Sequence, residues 1–191
     1  LLDDRMNATL ALYHLRKDNI AIPDATGVPR QDGDQRSRGL ELELMVQPVP
    51  NWYTFAAYAF SRAELTRFSE RVMVPTQTGI TFNTVDHSGN TPAFAPRHIL
   101  NLWTTRNFKN GVGIGGGTRY ISSQYIAENN QYQIDGVLTF NATLSYSYNK
   151  TRWRVNLKNL TNRKHETRGF GSASVIPANP FGLYGAFELN L

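Results

Sequence analysis

Residues 137–157 read VLTFNATLSYSYNKTRWRVNL, and the fold turns on where their side chains point. Leu138, Phe140, Ala142, Leu144, Tyr146 and Tyr148 alternate with Thr139, Asn141, Thr143, Ser145 and Ser147. After a short turn, Asn149-Lys150-Thr151, the alternation resumes with Trp153, Val155 and Leu157 against Arg152, Arg154 and Asn156. A period of two means strands, because successive side chains of an extended chain leave opposite faces. The question is whether the apolar side meets a protein core or lipid.

The chain has 191 residues, enough for one domain with a real core. Its formal net charge is +5, but Lys and Arg are scattered with no basic block, so nucleic acid is not an expected partner. With no cysteine, disulfides, thiolate metal sites and Cys nucleophiles are excluded. There is no apolar run near the roughly 18 residues of a transmembrane helix. The mean hydropathy of −0.42 resembles that of a water-soluble protein. A transmembrane β-barrel reads the same way, since only alternate residues touch lipid. The opening LLDDRMNATL lacks the charged, apolar and cleavage regions of an export signal. The expectation is a C-terminal piece of a longer protein, or a chain whose front has been removed.

Eight strand-like segments can be read, at 6–19, 37–47, 52–66, 97–108, 112–124, 135–148, 152–162 and 182–191. The turns at Pro48–Asn51, Lys109–Gly111 and Asn149–Thr151 are tight. The connectors near 20–36, 67–96, 125–134 and 163–181 are long and rich in Gly, Pro, Asn and Asp. When every second connector is long, all the long ones lie at one end of the sheet. Outer-membrane barrels have that asymmetry, with short periplasmic turns and long extracellular loops. The segments also exceed the usual strand of about 5–6 residues and suit the roughly 9–11 that span a bilayer at a tilt.

These features favour an all-β, antiparallel transmembrane barrel over a soluble sandwich. Leu138, Phe140, Leu144, Tyr146 and Tyr148 are then expected on the lipid side, and Thr139, Asn141, Thr143 and Ser145 in the lumen. Tyr146, Tyr148 and Trp153, beside the tight turn, fall where an aromatic girdle would sit at the periplasmic interface. Leu183, Phe187, Leu189 and Leu191 alternate with Tyr184, Glu188 and Asn190 up to the last residue, so a closing strand is expected there.

The order of motifs resembles the C-terminal part of TonB-dependent outer-membrane receptors, the ferric-siderophore branch in particular. The carriers are Leu2 to Tyr13, Arg38-Gly39-Leu40-Glu41, Pro96-Arg97-His98 with Leu102-Trp103, Gly115-Gly116-Gly117-Thr118-Arg119-Tyr120, and Asn156-Leu157-Lys158-Asn159-Leu160-Thr161-Asn162-Arg163. The chain departs from the pattern at its end, where Leu191 replaces the usual Phe, and at His165, where Tyr is frequent. The resemblance implies a barrel of about twenty-two strands around an N-terminal plug, of which residues 1–191 supply the last third or so of the wall. It implies an outer-membrane receptor that takes up ferric siderophores with energy from the TonB complex acting on the plug, which is absent here. Ferric iron would enter only as the chelate, with no cofactor bound directly. Outer-membrane lipid is a further implied partner, as is the barrel-assembly machinery through the last strand. A TonB-dependent receptor for haem, cobalamin or sugar, and a self-standing eight-stranded structural or binding barrel, are the alternatives. An outer-membrane enzyme would need a clustered Ser, His and carboxylate site.

Several motifs have plainer readings. Gly111-Val112-Gly113-Ile114-Gly115-Gly116 matches a dinucleotide pattern, but Thr118-Arg119-Tyr120-Ile121 after it is a strand rather than the helix that pattern needs. These small residues are expected to leave lumen space or to let the strand bend. His14, His87, His98 and His165 show no metal-ligand spacing. Asp86-His87-Ser88 has triad residue types, yet three consecutive residues cannot align nucleophile, base and orienter. Glu41, Glu43, Arg119, Arg152 and Arg154 are candidates for a lumen charge network or for holding the plug. Ligand contacts are expected from the long loops, where Phe94, Tyr125, Tyr132, Arg168, Phe170 and Phe181 suit a flat, charged iron chelate.

Overall fold

The computed structural model describes residues 5–22, 28–170 and 174–189. Leu2, Asp3, Asp4, Asn190, Leu191 and the side chain of Phe170 lie outside the described set.

In chain order the strands are β1 (Met6–Ile22), β2 (Arg30–Val46), β3 (Trp52–Arg67), β4 (Ser69–Thr76), β5 (Gly79–Asp86), β6 (His98–Asn107) and β7 (Val112–Ile121). They continue with β8 (Gln124–Tyr125), β9 (Gln133–Ile134), β10 (Val137–Tyr148), β11 (Thr151–Lys158), β12 (Glu166–Phe170), β13 (Ser174–Pro177) and β14 (Gly182–Leu189). Eight of them form one antiparallel sheet in the order β1-β2-β3-β6-β7-β10-β11-β14. No ladder joins β1 to β14 among the described residues, so the sheet is open at both edges. That argues against a self-closed eight-stranded barrel.

The sequence reading of the connectors needs correction. Strand pairing runs well past the expected ends, with Lys17 opposite Gln35 and Ile22 opposite Arg30. The stretch at 67–96 holds the β4–β5 hairpin, and 163–181 holds β12–β13. The Gly and Asn residues mark turns, but Val72, Val74, Ile80 and Phe82 between them are good strand formers, and an extended backbone there satisfies its own N–H and C=O groups.

The register sorts the side chains into two faces. Leu10, Leu42, Tyr58, Leu100, Tyr120 and Leu138 stand opposite one another in one row across six strands. The next row contains Ala8, Leu44, Ala56, Leu102, Thr118 and Phe140. Nearer the tight turns, Val112, Tyr146, Trp153 and Phe187 align, and the Trp153 and Phe187 rings lie 4.5 Å apart. The opposite face carries rows such as Thr9, Glu43, Ala57, Asn101, Arg119 and Thr139. On β10 the apolar Leu144 is 51% exposed, while its polar neighbour Ser145 is only 8% exposed. A water-soluble sandwich would show the reverse. A curved sheet with a polar concave side and an apolar outer side produces this inversion.

The glycines of β7 do not leave a void on the polar face. A side chain at Gly117 would run into the Trp103 ring and the Leu102 carbonyl, and one at Gly113 into Asn107 and Ser145. Neighbouring side chains fill the space, so close approach is what requires Gly117.

A small apolar core sits above the sheet, where Ile22, Leu65 and Phe68 are buried together. The turn at 87–90 closes over it. The His87 N–H donates to the Phe68 carbonyl, and the Gly89 N–H donates to the Leu65 carbonyl, both at 2.7 Å. Asp86 accepts from the Ser88 hydroxyl at 2.6 Å and from the Ser88 N–H at 2.9 Å, and these two bonds hold its carboxyl below the usual range. A carboxylate with a lowered folded pKa contributes stability above its unfolded value of roughly 3.9, and loses it as pH falls through the folded value. We expect the 86–90 turn to open on acidification below about pH 4. Amide exchange at Leu65 and His87, corrected for intrinsic rates, should accelerate there, and Asp86→Asn should reduce the acceleration, the Glu70 carboxylate 3.4 Å from His87 Nε2 being the other acid group at the turn. An unchanged profile in that variant would refute the assignment.

Candidate functional site

At the hairpin end, three connectors meet. The loop before β6 is joined to the β8–β9 region by side-chain amides. Asn130 accepts from the Thr91 N–H at 2.9 Å and returns a bond to the Thr91 carbonyl at 2.7 Å. Asn90 donates to the Glu128 carbonyl at 2.8 Å. The third connector, β12–β13, packs its Gly169 backbone against the buried Ile126.

This junction brings together three of the six expected ligand residues. The Phe94 N–H donates to the Tyr125 carbonyl at 2.9 Å, and the Arg168 guanidinium lies 5.6 Å from the Phe94 ring centroid. Phe94 holds a left-handed backbone, φ 57°, which is uncommon for a bulky residue and costs on the order of 1–3 kcal/mol. The surrounding structure, including the bond to the Tyr125 carbonyl, therefore holds the Phe94 backbone in place. Tyr132 is adjacent, its carbonyl accepting from the Ile126 N–H, and it is exposed. Phe181 stands apart, its N–H bonded to the Asn162 side chain at 2.9 Å.

Two clefts flank the junction. One, of about 380 Å³, is lined by Thr91, Arg97, Ser122, Gln124, Tyr125 and Gln133 among others. The second, of about 270 Å³, is lined by Arg119, Gln124, Asp135, His165 and Glu166 among others. A third cleft of about 350 Å³, beside the β4–β5 hairpin, holds Arg30, Arg67 and Arg71 with Asp32. There the Arg67–Asp34 pair at 2.9 Å lowers the Asp34 carboxyl and raises the Arg67 guanidinium. Guanidinium groups beside aromatic faces suit planar, anionic, oxygen-rich ligands.

Glu41, Glu43, Arg119, Arg152 and Arg154 share the polar-face parity. They do not form one network. Glu43 and Arg119 lie in the same row with β3 and β6 between them. Arg154 instead pairs with Glu188 at 2.9 Å, and the buried Arg152 Nε has no partner among the described residues. Asp86-His87-Ser88 forms no relay, since Ser88 donates to Asp86 while His87 Nε2 lies 3.4 Å from Glu70. Sequence reading missed Asn90, Asn130 and Ile126. The asparagines looked like ordinary turn formers, and their left-handed tolerance was the only available signal.

Residues 1–162 match the family model described as TonB dependent receptor-like, beta-barrel. The metal-pseudopaline receptor CntO of Pseudomonas aeruginosa is 25% identical over 195 residues, spanning 100% of this chain and 26% of its own length. The ferrichrome outer membrane transporter/phage receptor of Escherichia coli is 27% identical over 185 residues, 94% of this chain and 22% of its own. The crystal structure of the siderophore receptor PiuA from Acinetobacter baumannii superposes with a TM-score of 0.83 at 22% identity, covering 99% of this chain and 26% of that one. The chain thus spans about a quarter of the length of these relatives.

Proposed function

Because the chain belongs to the TonB-dependent receptor β-barrel family of bacterial outer-membrane proteins, we propose that it forms the C-terminal part of the wall of a receptor that takes up ferric siderophores. The apolar rows face lipid, the polar face lines the lumen, and the hairpins stand on the extracellular side. The observation that carries the reading is the convergence of Phe94, Tyr125 and Arg168 at that end, within a family whose members here are named as siderophore and metallophore receptors. The iron is cargo, held by the chelate. Energy comes from the TonB complex through a plug that these strands do not include, and the lumen charges Glu41, Glu43, Arg119 and Arg152 are the groups that a plug would meet.

The test uses the complete receptor that carries this chain, expressed in a strain lacking its own siderophore receptors. Radiolabelled ferric siderophores of the catecholate, hydroxamate and carboxylate types are supplied under iron limitation, with haem and cobalamin as rival cargoes. We expect uptake of one ferric siderophore. Arg168→Ala and Phe94→Ala are each expected to weaken its binding about tenfold, the effect of losing one well-placed contact of about 1.4 kcal/mol. Uptake of haem or cobalamin alone would overturn the cargo assignment, and unaltered binding in both variants would overturn the site.

A further inference from the structure

Arg16, Arg36, Arg38, Arg62 and Glu64 share the parity of the apolar face but lie beyond the Leu12, Leu40 and Phe60 row, toward the hairpins; among the described residues, Arg106 is the one charged side chain on that face between this row and the periplasmic turns. It stands in register with Trp52 on β3 and Ile114 on β7, in the row that continues through Leu144 and Val155. It lies three residues before the Lys109-Asn110 turn, hence at the periplasmic end. Its guanidinium lies 5.6 Å from the Trp52 ring and 5.9 Å from the Phe108 ring. The guanidinium makes no hydrogen bond or ion pair among the described residues, and its Nη1 is buried without a partner. The other polar groups nearby are satisfied. Trp52 Nε1 donates to the Thr104 hydroxyl at 2.7 Å, and Thr104 and Thr54 share a bond of 2.8 Å.

Beside Arg106 the lipid face is hollow. A trough of about 350 Å³ is lined by Trp52, Thr104, Arg106, Ile114, Gly115 and Gly116. It follows the row Thr54, Thr104, Gly116 and Ala142, where small residues interrupt the large apolar ones. A side-chain carbon added at Gly116 would meet only the Asn141 carbonyl, at 3.6 Å, so the space above it is open.

We propose that this trough and Arg106 form a binding site for one glycerophospholipid of the periplasmic leaflet. The phosphodiester would be held by the exposed part of the Arg106 guanidinium, with Lys109 a second cation nearer the water, and an acyl chain would lie in the trough. The chemistry is complementary on both counts. A guanidinium at headgroup depth with no carboxylate beside it favours an anion, and it matches phosphate oxygens in geometry. A hollow in a lipid-facing wall fills with hydrocarbon. The inference rests on the membrane placement and not on the cargo, so a different cargo would leave it standing.

The experiment is native mass spectrometry of the complete receptor in detergent, with dioleoyl phosphatidylglycerol added as the probe. Heat-modifiable electrophoretic mobility reports correct assembly. The parent protein should retain one phospholipid through activation. Arg106→Gln should lower that occupancy about fivefold, the effect of one cation near an anionic headgroup. Gly116→Leu, which fills the trough, should lower it similarly, while Arg62→Gln near the opposite end should not. Parental occupancy in Arg106→Gln overturns the proposal, as does equal retention of dioleoylglycerol, which has no phosphate. If Arg106→Gln fails to assemble, parental occupancy in Gly116→Leu overturns it alone.

Discussion

Ala56→Arg is expected to destabilise the assembled barrel by about 2–4 kcal/mol, the usual cost of a cation near the middle of a lipid-facing barrel surface. Ala57→Arg, the same change one residue later, is expected to cost under about 1 kcal/mol. The two alanines begin alike in chemistry and differ in face. Ala56 lies between Leu44 and Leu102 in an apolar row, whereas Ala57 lies between Glu43 and Asn101 on the polar side. A new guanidinium at 57 meets water and the Glu43 carboxylate, and one at 56 meets acyl chains. Urea unfolding of the receptor in bilayers, followed by tryptophan fluorescence, measures both. Equal losses, or the larger loss at Ala57, would contradict the assignment of faces.

Gly117→Val is expected to lower the yield of assembled barrel severely, through overpacking that costs about 1–3 kcal/mol or more. The first added carbon would overlap the Leu102 carbonyl oxygen, and would lie 2.7 Å from Cε3 and 3.0 Å from Cα of Trp103. Trp103 cannot simply swing away, because its Nε1 donates to the Thr105 hydroxyl at 2.9 Å. Trp103→Ala should restore only a minor part of the loss, since the Leu102 carbonyl and the Trp103 Cα stay in place. The readout is the heat-modifiable fraction on electrophoresis. By contrast Gly116→Val, one residue earlier and on the open trough, should assemble normally. Equal yields for the two valine variants would remove the packing argument.

The two faces of the sheet were legible in the linear chain because a strand writes them as a period of two. Leu40, Leu42, Leu44 and Val46 against Glu41 and Glu43 need no partner to be read. The tight turns and the end that carries long connectors were equally plain. The form of those connectors was not. Residues 69–86 pair as a hairpin because backbone groups bond across the chain, and Gly and Asn content reports only where the turns fall.

The candidate site was legible as residue types and no further. Phe94, Tyr125 and Arg168 are separated by up to 74 positions in the chain, and what gathers them is a pair of asparagine amides and a glycine backbone seated on Ile126. The same distinction holds at Arg106, which reads in sequence as one more scattered cation. Sequence by itself determined that this chain is a wall with one apolar and one polar side, since strand periodicity is a local property of neighbouring residues. Only the tertiary structure decided which loops touch, which glycine is crowded by an indole and a carbonyl, and which guanidinium stands in an apolar row without an acceptor. Those depend on cross-strand register, and register is a relation between segments that no single segment encodes.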